Sequence, residues 1–265
     1  MGRPTTAGDI RRRRATALLI VLAALVGTGA AIHSHERSGG AAAAPTGGSA
    51  QPTAPNPTTG SQPHSGIGLD LHAHSTTDPT SIWVVVNKKH PIRPLDFTPA
   101  LTTVRGYQMA WPAAHPLGRL LSAADAAGLG LQIGSAFRSY AYQVAVHEDL
   151  VERKGAAAAD RISARPGYSE HQTGFAADLI TPAHAQCDLE PCFAGTRAGR
   201  WLAANAWRYG FIVRYKPGRK AITGYSPEPW HVRYVGRPLA AAMRRAGVGT
   251  LEQVFHIKGG GYPTG

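Results

Sequence analysis

Residues 168–180 read YSEHQTGFAADLI: a polar turn carrying His171, a glycine at 174, then a short apolar run that holds Asp178. FAADLI reads as a buried strand entered through the glycine, so the turn offers an imidazole and the strand a carboxylate. Two side chains do not hold zinc; a catalytic site takes three protein ligands and leaves one position open. A third partner must come from elsewhere. The stretch SPEPWHVRYVG, residues 226–236, supplies His231, because Pro227 and Pro229 exclude a helix and keep the chain extended as it enters a strand. Glu228, three residues before His231, suits different work: a base beside the open position that takes a proton from water.

A cationic group lies upstream in GSAFRSYAYQ, residues 134–143. Arg138 follows a strand and opens a helix, from which its guanidinium can reach a cleft and stabilise an oxyanion or bind a substrate carboxylate. Gln143 can add an amide donor. Each of these residues also has a plain structural reading. Ser169 can cap the turn, Trp230 can be core, Arg138 can pair with Glu148 or Glu152, and Gly174 can be a bulge or a point of close approach. His147, His184 and His256 read as surface or hydrogen-bonded histidines.

Around these motifs the elements alternate without a regular βαβ rhythm. SIWVVVNKKHP (81–91) reads as an opening strand, HPLGRLLSAADAAGLG (115–130) as a helix and LQIGSAF (131–137) as a strand. SYAYQVAVHEDLVERKG (139–155) reads as a helix with Tyr142, Ala145, Val146 and Leu150 on its apolar face, stopped by Gly155. GRWLAANAWRYG reads as a helix, FIVRY and HVRYVG as strands, and PLAAAMRRAG and TLEQVFHI as closing helices. No phosphate loop and no internal repeat is present. The expectation is an α+β fold with a central antiparallel sheet flanked by helices.

The rest of the chain sets the context. Residues 11–14 are RRRR, followed by eighteen residues without a charge, 15–32, about 27 Å long as a helix and close to the thickness of a bilayer core. This is a secretory signal or an N-terminal anchor, and both readings stay open. It implies an extracytoplasmic location on the cell-wall side, membrane-anchored or secreted. Residues 34–79 are rich in Gly, Ala, Pro, Ser and Thr and read as a flexible linker between segment 1–33 and a folded domain at 80–258, with a Gly-rich tail at 259–265. Net charge is +12, of which residues 1–37 carry +4, leaving +8 on the exported part. That charge suits an anionic wall or membrane face. Nucleic acid is not expected as a partner, since Arg161, Arg165, Arg197, Arg200, Arg208 and Arg214 are scattered and form no recognisable binding module. The two cysteines, Cys187 and Cys192 in CDLEPC, are close enough for a disulfide in an oxidising compartment.

Taken in order, SAFRSYAYQ, SEHQTGFAAD and EPWH resemble the D-alanyl-D-alanine carboxypeptidase family of zinc peptidases, the VanY-like group, over about residues 80–240. The resemblance implies Zn2+ held by His171, Asp178 and His231, Glu228 as catalytic base, and Arg138 engaging the reacting carbonyl or the terminal carboxylate. It places Gln143 and Ser169 at positions that help hold substrate. The implied partner is a peptidoglycan stem peptide that loses its terminal D-alanine, and a monomer is expected. An L,D-carboxypeptidase, a cross-link endopeptidase and a non-catalytic zinc-stabilised wall-binding module remain as alternatives. The Pro-rich linker, CDLEPC and the Gly-rich tail depart from the family pattern.

Overall fold

A computed structural model of the protein describes residues 66–263. The basic N terminus, the apolar segment 15–32 and most of the expected linker lie outside the described residues, and the expectations of export and anchoring with them. Among the described residues no helix is long and apolar enough to cross a membrane.

The first regular elements form a hairpin, β1 (Leu101–Val104) with β2 (Tyr107–Ala110), which leads directly into helix α1 (Trp111–Ala126). The sequence reading missed this hairpin and started α1 at His115. Pro112 in the first turn explains the earlier start, since its missing N–H is one that no helix needs there. Next come β3 (Gln132–Ser135), α2 (Tyr140–Lys154), α3 (Ala156–Ile162) and β4 (Ala176–Ile180). Helix α4 (Arg197–Asn205), β5 (Phe211–Tyr215), α5 (Lys220–Thr223), β6 (Glu228–Tyr234), α6 (Arg237–Ala246) and α7 (Leu251–Phe255) complete the order. Four strands form an antiparallel sheet in the order β3-β4-β6-β5, with helices packed around it, which is the α+β architecture expected. Helix α2 starts where Ser139 accepts the N–H of Tyr142 and stops at Gly155. Its buried positions are Gln143 and Leu150, however, and Tyr142, expected on the apolar face, is 40% exposed.

The sheet alternates between its faces, apart from register shifts at Ile133/Ser135 and Val213/Tyr215. Ile133, Ala177, Leu179, Phe211 and Val232 point into the main core with α1 and α4, through Leu117, Leu120, Leu121 and Leu202. Asp178, Ile212, His231 and Arg233 point the other way. A second apolar cluster joins Ile212 and Val235 to α6 and α7 through Leu239, Met243, Leu251 and Val254.

Residues 81–91, expected as a strand, instead carry a turn at 82–83, a short run at 84–86 without a strand partner and a second turn closed by an isolated bridge between Asn87 and His90. Trp83 and Val85 pack into the second cluster while Val84 and Val86 pack into the first. The carbonyls of Ile82 and Val84 receive hydrogen bonds from the Arg233 guanidinium (3.2 and 2.9 Å), so a side chain takes the place of a neighbouring strand. Upstream, Ile67 is 2% exposed and packs with Leu69 and Leu71 in the second cluster. The packed body therefore reaches further back than the linker boundary at residue 79, because GIGLDL supplies apolar residues at every second position. At the other end, Tyr262 folds back and its hydroxyl accepts the N–H of Arg165 (2.7 Å).

Candidate active site

His171 sits in a 3-10 turn, Glu170–Thr173, that leads into β4. The turn is closed by the Thr173 hydroxyl, which donates to Glu170 O (2.7 Å) and accepts from Phe175 N (3.1 Å). Gly174 ends it at φ +71°, and its carbonyl accepts the N–H of Ala110 (2.9 Å). A Cβ at 174 would stand 2.7 Å from Ala110 N, so this glycine allows β2 to approach the turn. Asp178 in β4 and His231 in β6 are directly opposed across the antiparallel ladder, with Ser135 of β3 on the other side of Asp178. Turn and ladder thus bring His171, Asp178 and His231 together, with one ligand atom of each lying within 4.8 Å of the others. All three are buried, at 2, 6 and 3% exposure.

The donor set suits a zinc-type cation. His171 Nδ1 faces the carbonyl oxygen of Ala136 (2.7 Å), which only accepts, so Nδ1 carries the proton and Nε2 keeps its lone pair. Nε2 of His231 faces Glu170 Oε2 (3.3 Å), which leaves Nδ1 as the free donor atom. Each free nitrogen lies 3.2 Å from an oxygen of Asp178, yet His171 Nε2 and Asp178 Oδ1 are buried with no hydrogen-bond partner. Lone-pair atoms that crowd together without hydrogen-bonding one another are what a shared cation would use.

Around this cluster stand Glu228 and Arg138. Glu228 Oε2 is 3.5 Å from His231 Nδ1, and its side chain is 25% exposed. Burial pushes the Glu228 carboxyl up to about 7, aided by the charge of Asp178 and opposed by His231 and Arg138. Burial and the Arg138 charge bring His171 down to about 4. For His231, burial acts downward, but the carboxylates of Asp178 and Glu170 outweigh it and raise the imidazole of the metal-free site to about 9, so a cation taken up at Nδ1 displaces a proton. Asp178 lies well below the usual carboxylate range, because the two imidazoles outweigh its burial.

Arg138 reaches into the cluster, with Nη2 3.7 Å from Asp178 Oδ2 and Nε buried without a partner, and its acid neighbour is this aspartate instead of Glu148 or Glu152. Gln143 behaves differently from the expectation of a free amide donor. It is 1% exposed, its two amide hydrogens go to Ser163 Oγ (2.9 Å) and Ala164 O (2.8 Å), and its oxygen accepts from Arg138 Nη1 (3.4 Å). It holds the arginine and the 163–164 loop in place. Ser169 is 6% exposed and its hydroxyl does not cap the turn that follows. Trp230 packs against the main core, and His147 pairs with Asp160 (3.2 Å). Cys187 and Cys192 are disulfide-bonded with Cα atoms 5.3 Å apart.

Sequence reasoning missed the polar residues behind the site. Glu170 is fully buried, with Oε1 held by Arg214 Nε (2.8 Å) and Arg233 Nη1 (2.9 Å). Gln172 donates to the carbonyls of Leu95 and Phe97, which ties the loop ahead of β1 to the turn. The signal was the density of polar residues in SEHQT just before a buried strand. Arg214, grouped above only among arginines scattered along the sequence, is 0% exposed.

Residues 107–237 match the family model described as D-alanyl-D-alanine carboxypeptidase, VanY. The chain is 32% identical over 186 residues to a D-alanyl-D-alanine carboxypeptidase of Enterococcus faecalis (strain ATCC 700802 / V583), spanning 66% of each chain. Among solved structures it resembles the LdcB LD-carboxypeptidase, at 34% identity and TM-score 0.63, over 68% of this chain and 88% of that one. It also resembles a mutant of the vancomycin resistance D,D-pentapeptidase VanY from the VanB-type cassette in complex with Zn(II), at 32% identity and TM-score 0.56, over 65% and 97%.

Proposed function

The chain belongs to the D-alanyl-D-alanine carboxypeptidase family and is a peptidase, and from that premise we propose that it is a zinc-dependent D,D-carboxypeptidase that removes the terminal D-alanine from peptidoglycan stem peptides. The observation that carries the reading is the convergence of His171 Nε2, Asp178 and His231 Nδ1 within 4.8 Å, with the Glu228 carboxylate at its edge.

These three residues would hold the metal, which when bound polarises a carbonyl and makes water acidic enough to ionise near neutral pH. Glu228 acts as general base. Standing at the edge of the ligand cluster, it accepts a proton from the attacking water and returns one to the leaving amine. Arg138 presents a guanidinium fixed by Gln143 towards the same space, where it stabilises the developing oxyanion or binds the substrate's terminal carboxylate. Ser169, with its hydroxyl free of the turn, donates to the substrate backbone. The apolar N-terminal segment exports the domain, and the chain between carries it to the wall.

A second reading has a specific support: the LdcB neighbour is an LD-carboxypeptidase and has the higher TM-score of the two structures compared. The same catalytic set would then remove the last residue of a tetrapeptide. Incubation of the zinc-loaded protein with pentapeptide, tetrapeptide and cross-linked wall fragments, read by mass spectrometry, separates the cases. Loss of one residue from pentapeptide alone supports the D,D reading, and loss from tetrapeptide alone replaces it with the L,D one. Zinc-dependent wall binding without hydrolysis would leave only a binding module.

A further inference from the structure

The polar series behind His231 continues past Glu170. Arg214 gives Nε to Glu170 and turns its other two nitrogens onto Glu252 in α7, Nη1 to Oε2 (2.9 Å) and Nη2 to Oε1 (2.8 Å). Glu252 Oε1 also accepts from Asn87 Nδ2 (3.1 Å), and the same amide donates to Lys258 O (3.4 Å). Glu170, Arg214, Glu252 and Asn87 are each at most 2% exposed. Glu252 and Asn87 both lie outside the segment 107–237 that matches the family model, so the two ends of the folded body meet behind the metal cluster.

We propose that Glu252 is a positioning residue for the metal centre, setting its zinc affinity through Arg214 and Glu170. The reasoning starts from guanidinium geometry. An arginine prefers to present two parallel N–H groups to one carboxylate. Glu252 occupies that fork, so Arg214 offers Glu170 only Nε, and Glu170 Oε2 stays with His231 Nε2. Without the Glu252 charge, the fork turns to the nearest remaining carboxylate, Glu170, and both of its oxygens are drawn towards Arg214. His231 then loses the acceptor that fixes its proton on Nε2 and its free lone pair on Nδ1, the atom that faces Asp178.

The inference rests on the reading of His171, Asp178 and His231 as metal ligands, and its test keeps the two apart. Zinc affinity of the full chain is measured by competition with a chromogenic chelator for the parent, Glu252→Gln, Glu170→Gln and the double variant. Glu170→Gln is expected to weaken binding about 10–100-fold, as loss of a histidine's outer partner does, and Glu252→Gln about tenfold by the same route. In the double variant the Glu252 effect should shrink to under about twofold, since its route is already cut. Parent-like affinity in Glu252→Gln, or a tenfold effect that persists beside Glu170→Gln, overturns the proposal. If Glu252→Gln does not fold, Glu252→Asp replaces it: it keeps the charge but shortens the reach, and should still weaken zinc several-fold, with unchanged affinity again overturning the idea. A parent chain that binds no zinc overturns the metal reading and this inference together.

Discussion

Replacing Glu228, the carboxylate proposed as general base, should make the metal-free protein more stable, and the size of that gain follows from its surroundings. Glu228 is raised from 4.5 to about 7, chiefly by burial. A carboxyl whose folded value lies above its unfolded one favours folding while protonated, and that favour is lost as pH rises from 4.5 through 7. Each pKa unit corresponds to about 1.4 kcal/mol, so ionising Glu228 at pH 8 costs at most about 3.5 kcal/mol. Its 25% exposure lets water relieve part of this, and about 2 kcal/mol is the working value. For a folded body of this size that is a rise in Tm of about 4–8 °C for Glu228→Gln. Thermal unfolding of chelator-treated parent and variant by circular dichroism should show nearly equal midpoints at pH 4, below the unfolded value, and a widening gap to pH 8. With zinc restored, the variant should keep the metal and lose about two to four orders of magnitude in rate. A gap that is absent at pH 8, or does not grow between pH 4 and 8, would refute the assignment of Glu228 as a carboxylate held at the expense of stability.

Three further outcomes follow from the same geometry. His171→Ala should lose both zinc, read by metal analysis after dialysis, and peptide hydrolysis; retained zinc would remove His171 from the ligand set. Arg138→Ala should lower kcat/KM about 10²–10³-fold with zinc content unchanged, and Arg138→Lys should recover part of the loss; steady-state kinetics beside metal analysis checks both. Gly174→Ala should cost about 2–3 kcal/mol or more, because φ is +71° and the new Cβ meets Ala110 N at 2.7 Å, and a parent-like Tm would contradict that contact.

The chemistry of this site was more legible in the sequence than its support. His171, Asp178, His231, Glu228 and Arg138 stood out because a zinc-hydrolase site would restrict residue types and spacing so narrowly that few patterns satisfy it, and the fold does bring His171, Asp178 and His231 together. FAADLI, FIVRY and HVRYV could be read as strands because they are short, apolar and β-branched or aromatic. The segment 81–86 carried the same signal and is not part of the sheet, since its alternation serves two apolar clusters on either side of a single unpaired chain. Glu170, Arg214, Arg233 and Glu252 were illegible because a buried ion pair has no sequence period. Its members are far apart along the chain, and each alone looks like a surface charge. Gln143 shows the converse. Its residue type suggested a substrate donor, but only coordinates reveal that both amide hydrogens are already taken.

What holds the candidate metal ligands to their tolerance is strand register. Asp178 and His231 share a face only because residue 178 pairs with 231, and a slip of one residue would turn Asp178 into the main core and bring Ala177 opposite His231. Apolar packing resists that slip, since Ala177, Leu179 and Val232 fill the core on the opposite face. Arg233 resists it from the polar face: it pairs with Ala176 and Ile212 in the ladder while its guanidinium ties Glu170 to the carbonyls of Ile82 and Val84. A slipped register would move that guanidinium away from at least one of these partners and leave buried charge unsatisfied, which costs far more than a lost surface pair. The buried arginines thus act on function through the backbone as well as through Glu170, because the register they enforce is the one in which a carboxylate and an imidazole from different strands can meet one cation.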